Sequence, residues 1–215
     1  QRLLRRVPCR IVSVFDVVPP NIPVRFRIGG HCISIRKHGI RALVTSCPIC
    51  LKVFREDYRL DGIEVLHHSE YIQRLITAGK LKLHPGTEVF TYHDPCELGR
   101  GSGIYEAPRE VIGAIGELRE VAENREHALC CGSSLGNIAI SDDGQRRIGQ
   151  SVADTFAATG AGSVVTACPL CKKAIARSGT LPVYDLAEIV AQALPGRQAL
   201  KSATLHTHKP RLLDG

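Results

Sequence analysis

Two stretches of this chain are variants of one pattern. RALVTSCPICLKVF at residues 41–54 and GSVVTACPLCKKAI at 162–175 each run from a β-branched apolar segment through Cys-Pro-x-Cys into a segment of helical spacing. Both cysteines recur at one offset of 121 residues, 47 to 168 and 50 to 171, and Val44/Val165, Thr45/Thr166, Pro48/Pro169 and Lys52/Lys173 fall on it too. Chance does not align a strand, a turn and a helix in this way. The chain therefore builds one strand–turn–helix unit twice.

The likeness extends downstream. GIEVLHHSEYIQRLI (62–76) resembles TLPVYDLAEIVAQAL (180–194) once the second copy is shortened by about three residues, and each predicts a short strand followed by an amphipathic helix. Between the copies the pattern predicts a strand at about 87–92, a polar Gly-rich loop, and helices at about 105–115 and 145–159, the last ending at Gly160. Strands alternating with helices imply an α/β fold with largely parallel sheets, here two related halves in a pseudo-twofold arrangement. The expected division is a degenerate N-terminal half at 1–85, a complete half at 86–195, and a loose basic tail at 196–215. Residues 1–30, with VVPPNIPVRFRIGG, fit neither a helix nor a clean strand and receive no assignment.

Composition narrows the chemistry. At 215 residues and 44% hydrophobic content the chain is of ordinary globular make-up. It has no run of about 18 apolar residues, so no membrane span is expected. Its start has prolines and charges in place of a signal peptide's core and cleavage site. There is no methionine and Gln1 is no initiator, so the sequence reads as a processed piece or a fragment. The net charge of +7 is spread along the chain without a stacking motif, which argues for a solvated face or a docking surface for an acidic redox partner and not for nucleic acid. Nine cysteines, in two C-x-x-C pairs, one adjacent pair and three singles, point to metal or redox chemistry in a reducing, cytoplasmic setting.

In the second half these cysteines fall as C-x33-CC-x36-C-x2-C: Cys96, Cys130, Cys131, Cys168 and Cys171. Adjacent cysteines are strained disulfide partners, but neighbouring thiolates suit a cluster of several irons. Cys96 and Cys168 follow predicted strands and Cys171 opens a predicted helix, the places where such folds gather ligands and where free N–H groups stabilise anionic sulfur. Gly132, and Gly99, Gly101 and Gly103 after Cys96, would let backbone approach a cluster.

YHDPCELGRGSGIYEAPR, ALCCG and VVTACPLCKK together resemble the cysteine-rich CCG domain found in the B component of heterodisulfide reductase, in glycolate oxidase and lactate-utilisation iron–sulfur subunits, and in the C component of the anaerobic glycerol-3-phosphate dehydrogenase. The resemblance covers roughly residues 40–194. It implies a 4Fe–4S cluster, noncubane in the heterodisulfide reductase, on Cys96, Cys130, Cys131, Cys168 and Cys171. It also implies an electron-transfer role in an oxidoreductase that reduces a disulfide or serves a flavin-dependent 2-hydroxy acid oxidase or dehydrogenase. The first copy departs from the family. The offset sets Cys9 against Cys130, Arg10 against Cys131 and Ile11 against Gly132, and leaves Cys9, Cys47 and Cys50 with Cys32 unmatched. Three cysteines could hold a cluster with an open iron and Cys32 could complete four, but a vestigial site is the preferred reading. Ser133-Ser134-Leu135 replaces the family's Gly-rich run after CCG, which bears on the reaction more than on binding.

Other readings stand beside this one. Buried cysteines are often plain small hydrophobes. Cys47/Cys50 with Cys168/Cys171 could form a zinc site of a structural or interaction module, which leaves Cys96, Cys130 and Cys131 unexplained. Each Cys-Pro-x-Cys could be a thioredoxin-type pair. His93 and Asp94 are candidate proton donors or supporting groups, or simply part of a turn. Arg100 and Arg109 could neutralise cluster charge or hold a substrate carboxylate, or be ordinary solvated arginines. His67, His68 and Glu70 are expected at a strand end and helix start without chemistry, and His206 and His208 in the tail. The chain lacks a ferredoxin cysteine run and a Gly-rich dinucleotide fingerprint, so flavin or ferredoxin is expected on a partner subunit or fused domain.

Overall fold

The computed structural model describes residues 41–58, 60–133, 139–179 and 181–195. Cys9, Cys32, Ser134, Leu135, His206, His208, the unassigned start and the tail all lie outside the described residues. The first repeat forms β1 (Ala42–Thr45), α1 (Pro48–Glu56), β2 (Glu64–His67) and α2 (His68–Thr77). β3 (Val89–His93), α3 (Gly99–Ser102), α4 (Glu106–Gly113) and β4 (Glu117–Leu118) follow, then a 3-10 turn at Arg125–His127 and α5 (Asp142–Ala157). The second repeat forms β5 (Ser163–Thr166), α6 (Pro169–Ser178), β6 (Val183–Asp185) and α7 (Leu186–Gln192). The strands form a parallel β1–β2 pair and a parallel four-stranded sheet of order β4-β3-β5-β6. The fold is α/β, and both repeats have the expected strand–helix–strand–helix order.

Local chemistry sets the boundaries. Pro48 and Pro169 occupy the first turns of α1 and α6, where a missing N–H is harmless. α2 and α7 both begin with a capping box, His67 with Glu70 in one and Asp185 with Glu188 in the other. Ser141 caps α5 through the N–H of Gly144. The loop after Cys96 holds a turn of helix, α3, that the sequence pattern did not announce, and two-residue β4 was equally silent.

Side chains alternate across the large sheet and feed two cores. Val165 enters a core with Phe90, Tyr92, Ile112 and Leu186, and Leu43, Leu51 and Phe54 of the first repeat join it. Each fully buried side chain of this size contributes about 1.5–3 kcal/mol, so this shared core is what fastens β1–β2 to the larger sheet. Val164, on the opposite face, packs with Val152, Phe156 and Ile175 beneath α5 and α6. Cys131, Cys168 and Cys171 belong to that second core.

Candidate metal centre

β3 and β5 run side by side in register, His93 opposite Thr166, and the Thr166 hydroxyl donates to the His93 carbonyl at 3.3 Å. Their carboxyl ends release the chain into Asp94-Pro95-Cys96 and Ala167-Cys168 at one edge of the sheet, the usual location of sites in open parallel sheets. Cys168 is the N-cap of α6 and Cys171 lies in its first turn. Cys130 and Cys131 arrive on the loop after the 3-10 turn. Gly132 then takes φ +82°, and a Cβ there would stand 3.2 Å from the Gln145 carbonyl and 3.1 Å from Ile148. Its N–H donates to the Cys130 sulfur at 3.4 Å.

The five thiols act on one another in series, Cys96 on Cys130, Cys130 on Cys131, Cys131 on Cys171 and Cys171 on Cys168, and the Cys131 thiol donates to the Cys171 sulfur at 3.3 Å. None is in a disulfide. The Cys131–Cys171 distance approaches the ~3.7 Å between two thiolates that share a tetrahedral ion with ~2.3 Å bonds. Thiol-to-thiol hydrogen bonds and burial hold Cys96 and Cys171 well above the usual thiol range, and contact with Cys130 pushes Cys131 up to about 11. Cys168 is lowered by the Cys171 thiol and the N–H groups of Cys171 and Leu170. Five packed sulfurs cannot all ionise by themselves; a bound cation would replace the shared protons. A ring nitrogen of His93 lies within 4.8 Å of both the Cys131 and Cys171 sulfurs.

Residues 90–176 match the family model of the cysteine-rich domain CCG. This segment belongs to the CCG family. Among relatives, the probable iron-sulfur-binding oxidoreductase FadF of Bacillus subtilis is 31% identical over 76% of this chain and 25% of its own length. The EtfAB:quinone oxidoreductase of Syntrophomonas wolfei is 31% identical over 75% of this chain and 25% of its own. The D component of the dihydromethanophenazine:CoB--CoM heterodisulfide reductase of Methanosarcina barkeri is 33% identical over 75% of this chain and 42% of its own. The matched part of this chain thus spans about a quarter to two-fifths of these relatives.

Around the CCG cysteines, several side chains act as braces. Asp94 is buried and accepts from Arg109 through both oxygens at 2.8 Å and from the Arg125 N–H at 2.9 Å. It thereby ties the Cys96 loop to the turn that leads into Cys130. Arg109 is no solvated arginine: it is 6% exposed, lies over the Tyr92 ring and also binds Glu120 at 2.6 Å. Burial alone would lower its pKa, yet Asp94 and Glu120 raise it. Arg100 donates to the carbonyls of Ala128 and Glu126 at 2.7 and 3.1 Å, a second tie between the same loops. Gly99 makes room for the Tyr105 ring, Gly101 sits against Glu97, and Gly103 ends α3 at φ +70°, so these glycines shape the loop itself. Sequence reasoning missed Glu120 and Arg125 as members of this network. Arg109 carried a signal, since it stands one turn before apolar Ile112 on the same helix.

The first repeat offers less. Cys47 caps α1, and the Cys50 thiol and the N–H groups of Cys50 and Ile49 lower it to about 6. Among the described residues no third donor completes a metal group around Cys47 and Cys50. Ser46 and Pro169 line one cavity, so the two Cys-Pro-x-Cys turns are neighbours. His67 and His68 end β2 and start α2 as expected, with Asp185 3.6 Å from His68.

Proposed function

We propose that this chain binds an iron–sulfur cluster, in the 4Fe–4S class, through Cys96, Cys130, Cys131, Cys168 and Cys171, and that it serves as the electron-transfer module of a larger oxidoreductase. The observation that carries this reading is the convergence of five mutually coupled thiols beyond the ends of β3 and β5, with the Cys131 and Cys171 sulfurs 3.3 Å apart. Such a cluster supplies one-electron transfer. The chain's own residues do the rest. Cys131, Cys168 and Cys171 sit in an apolar core that keeps water from one side of the site, while half-buried Cys96 and Cys130 leave the other side accessible. The α6 N-terminus supplies N–H groups to Cys168, and Asp94, Arg109 and Arg100 fix the two remaining loops.

The names of the relatives, all redox proteins, support assignment to a multi-component redox system in which flavin or ferredoxin is carried by a partner or a further domain. Leu129 and Leu170, the exposed large apolar side chains among the described residues, flank Cys130 and Cys171 and suit a docking rim there. The free thiols of the site suit a reducing, cytoplasmic setting. No helix of the described residues is long and apolar enough to cross a membrane. The first half, residues 1–85, is read as a degenerate copy with a vestigial site at Cys9, Cys47 and Cys50. A second reading, a zinc-holding interaction module, draws on the close trio of His93, Cys131 and Cys171.

Iron, sulfide and zinc content of anaerobically purified protein, with its visible spectrum, decides between them. About four irons and four sulfides per chain, lost in Cys131→Ser, support the cluster, and about eight would assign one to the first half as well. Stoichiometric zinc in a colourless protein overturns the redox reading.

A further inference from the structure

The five sulfurs do not exhaust the donors at this site. His93 is the last residue of β3 and is 3% exposed. Its ring is held edge-on by Phe156, with centroids 5.8 Å apart and planes at 83°. Its backbone is pinned by register with Thr166 and by the Thr166 hydroxyl. The Nε2 atom is buried and makes no hydrogen bond, although buried imidazole nitrogens are nearly always partnered. One ring nitrogen, the Cys131 sulfur and the Cys171 sulfur all lie within 4.8 Å of one another. Two donors on one tetrahedral ion with ~2.0–2.3 Å bonds lie ~3.5–3.7 Å apart, so the two sulfurs, 3.3 Å apart, are already near that spacing and the ring needs to close on them by at most about 1.3 Å to put all three on one metal.

We infer that His93 is a direct ligand to the metal centre, sharing one iron with the thiolates of Cys131 and Cys171. The inference rests on the cluster reading above and adds a nitrogen donor to a centre that the sequence pattern describes by sulfur alone. It makes the centre chemically unequal. One iron carries a neutral ligand where the others carry anionic ones, and replacement of thiolate by imidazole raises the reduction potential of iron–sulfur centres. That iron sits on the enclosed side, against Phe156 and away from half-exposed Cys96 and Cys130.

The test uses the whole chain, loaded anaerobically and labelled with 15N-histidine, with iron and sulfide measured on each sample. Pulsed EPR of the paramagnetic redox state should give a strong 15N hyperfine coupling that disappears in His93→Phe. His93→Cys, which keeps a donor and adds negative charge, should retain iron and shift the reduction potential downward. Iron-loaded wild type with only a weak nitrogen coupling overturns the inference and leaves the cluster reading intact. In that case a water in the neighbouring cavity of about 10 Å3 would partner the ring. Wild type without iron fails at the earlier step, and the cluster reading falls with the inference.

Discussion

At the scale of single residues, the centre depends on a few buried charges and one backbone angle. Arg109→Met leaves Asp94 as a buried carboxylate without its two-pronged partner, and loss of one member of such a pair costs about 3–5 kcal/mol. Urea unfolding of the metal-free chain should therefore show a large drop in midpoint, and a change of a few tenths of a kcal/mol would mean the pair is dispensable. Gly132→Ala is expected to destabilise by at least about 1 kcal/mol, since alanine is strained at φ +82° and its methyl meets Gln145 and Ile148. The cysteines were legible as a group in the sequence because their spacing is a pattern along the chain. The Asp94–Arg109–Glu120 brace was not, because it joins residues 11 and 15 positions apart whose meeting depends on how α4 lies on β3.

At the scale of elements, the two repeats use the same device with different chemistry. Asp185 caps α7 as an ordinary carboxylate, while His67 caps α2 through an imidazole nitrogen that accepts the Ser69 N–H at 3.4 Å. Burial, with His68 nearby, lowers the His67 pKa to about 2, so the folded chain keeps it neutral. Below its unfolded pKa of about 6.5 the unfolded chain takes up a proton that the folded one refuses, so stability falls as the pH is lowered from about 6.5. At pH 5 this one residue should cost about 2 kcal/mol. Thermal melts at pH 7 and 5 should show a smaller acid-induced loss for His67→Asn, which preserves a capping acceptor, than for wild type; equal losses would refute the assignment. Long strands and helices with apolar periodicity were readable in advance. β4 was not, because two residues carry no period and Glu117–Leu118 is a strand only by pairing with Val89 and Phe90.

For the molecule as a whole, the site joins three distant stretches of chain, at Cys96, at Cys130–Cys131 and at Cys168–Cys171. Removal of the metal by an anaerobic chelator should lower the melting temperature and expose the Arg125–Ser133 connection to protease; a metal-free chain as resistant as the loaded one would argue against a bridging role. Leu129→Glu combined with Leu170→Glu should slow electron exchange with an acceptor protein while iron content and spectrum stay at wild-type values. Unchanged exchange would place the docking face elsewhere. The order of these stretches also has a temporal side. Cys168 and Cys171 stand 72 and 75 positions after Cys96, so a ribosome synthesises most of the large sheet before the closing pair emerges. A nascent chain halted ahead of β5 presents three thiols on loops that lack their β5 neighbour, and any metal it captured would be held by an open, exchangeable set. Closure of the proposed centre therefore waits on β5 and the first turn of α6, and until they arrive the chain displays reactive thiols in place of a finished set of ligands.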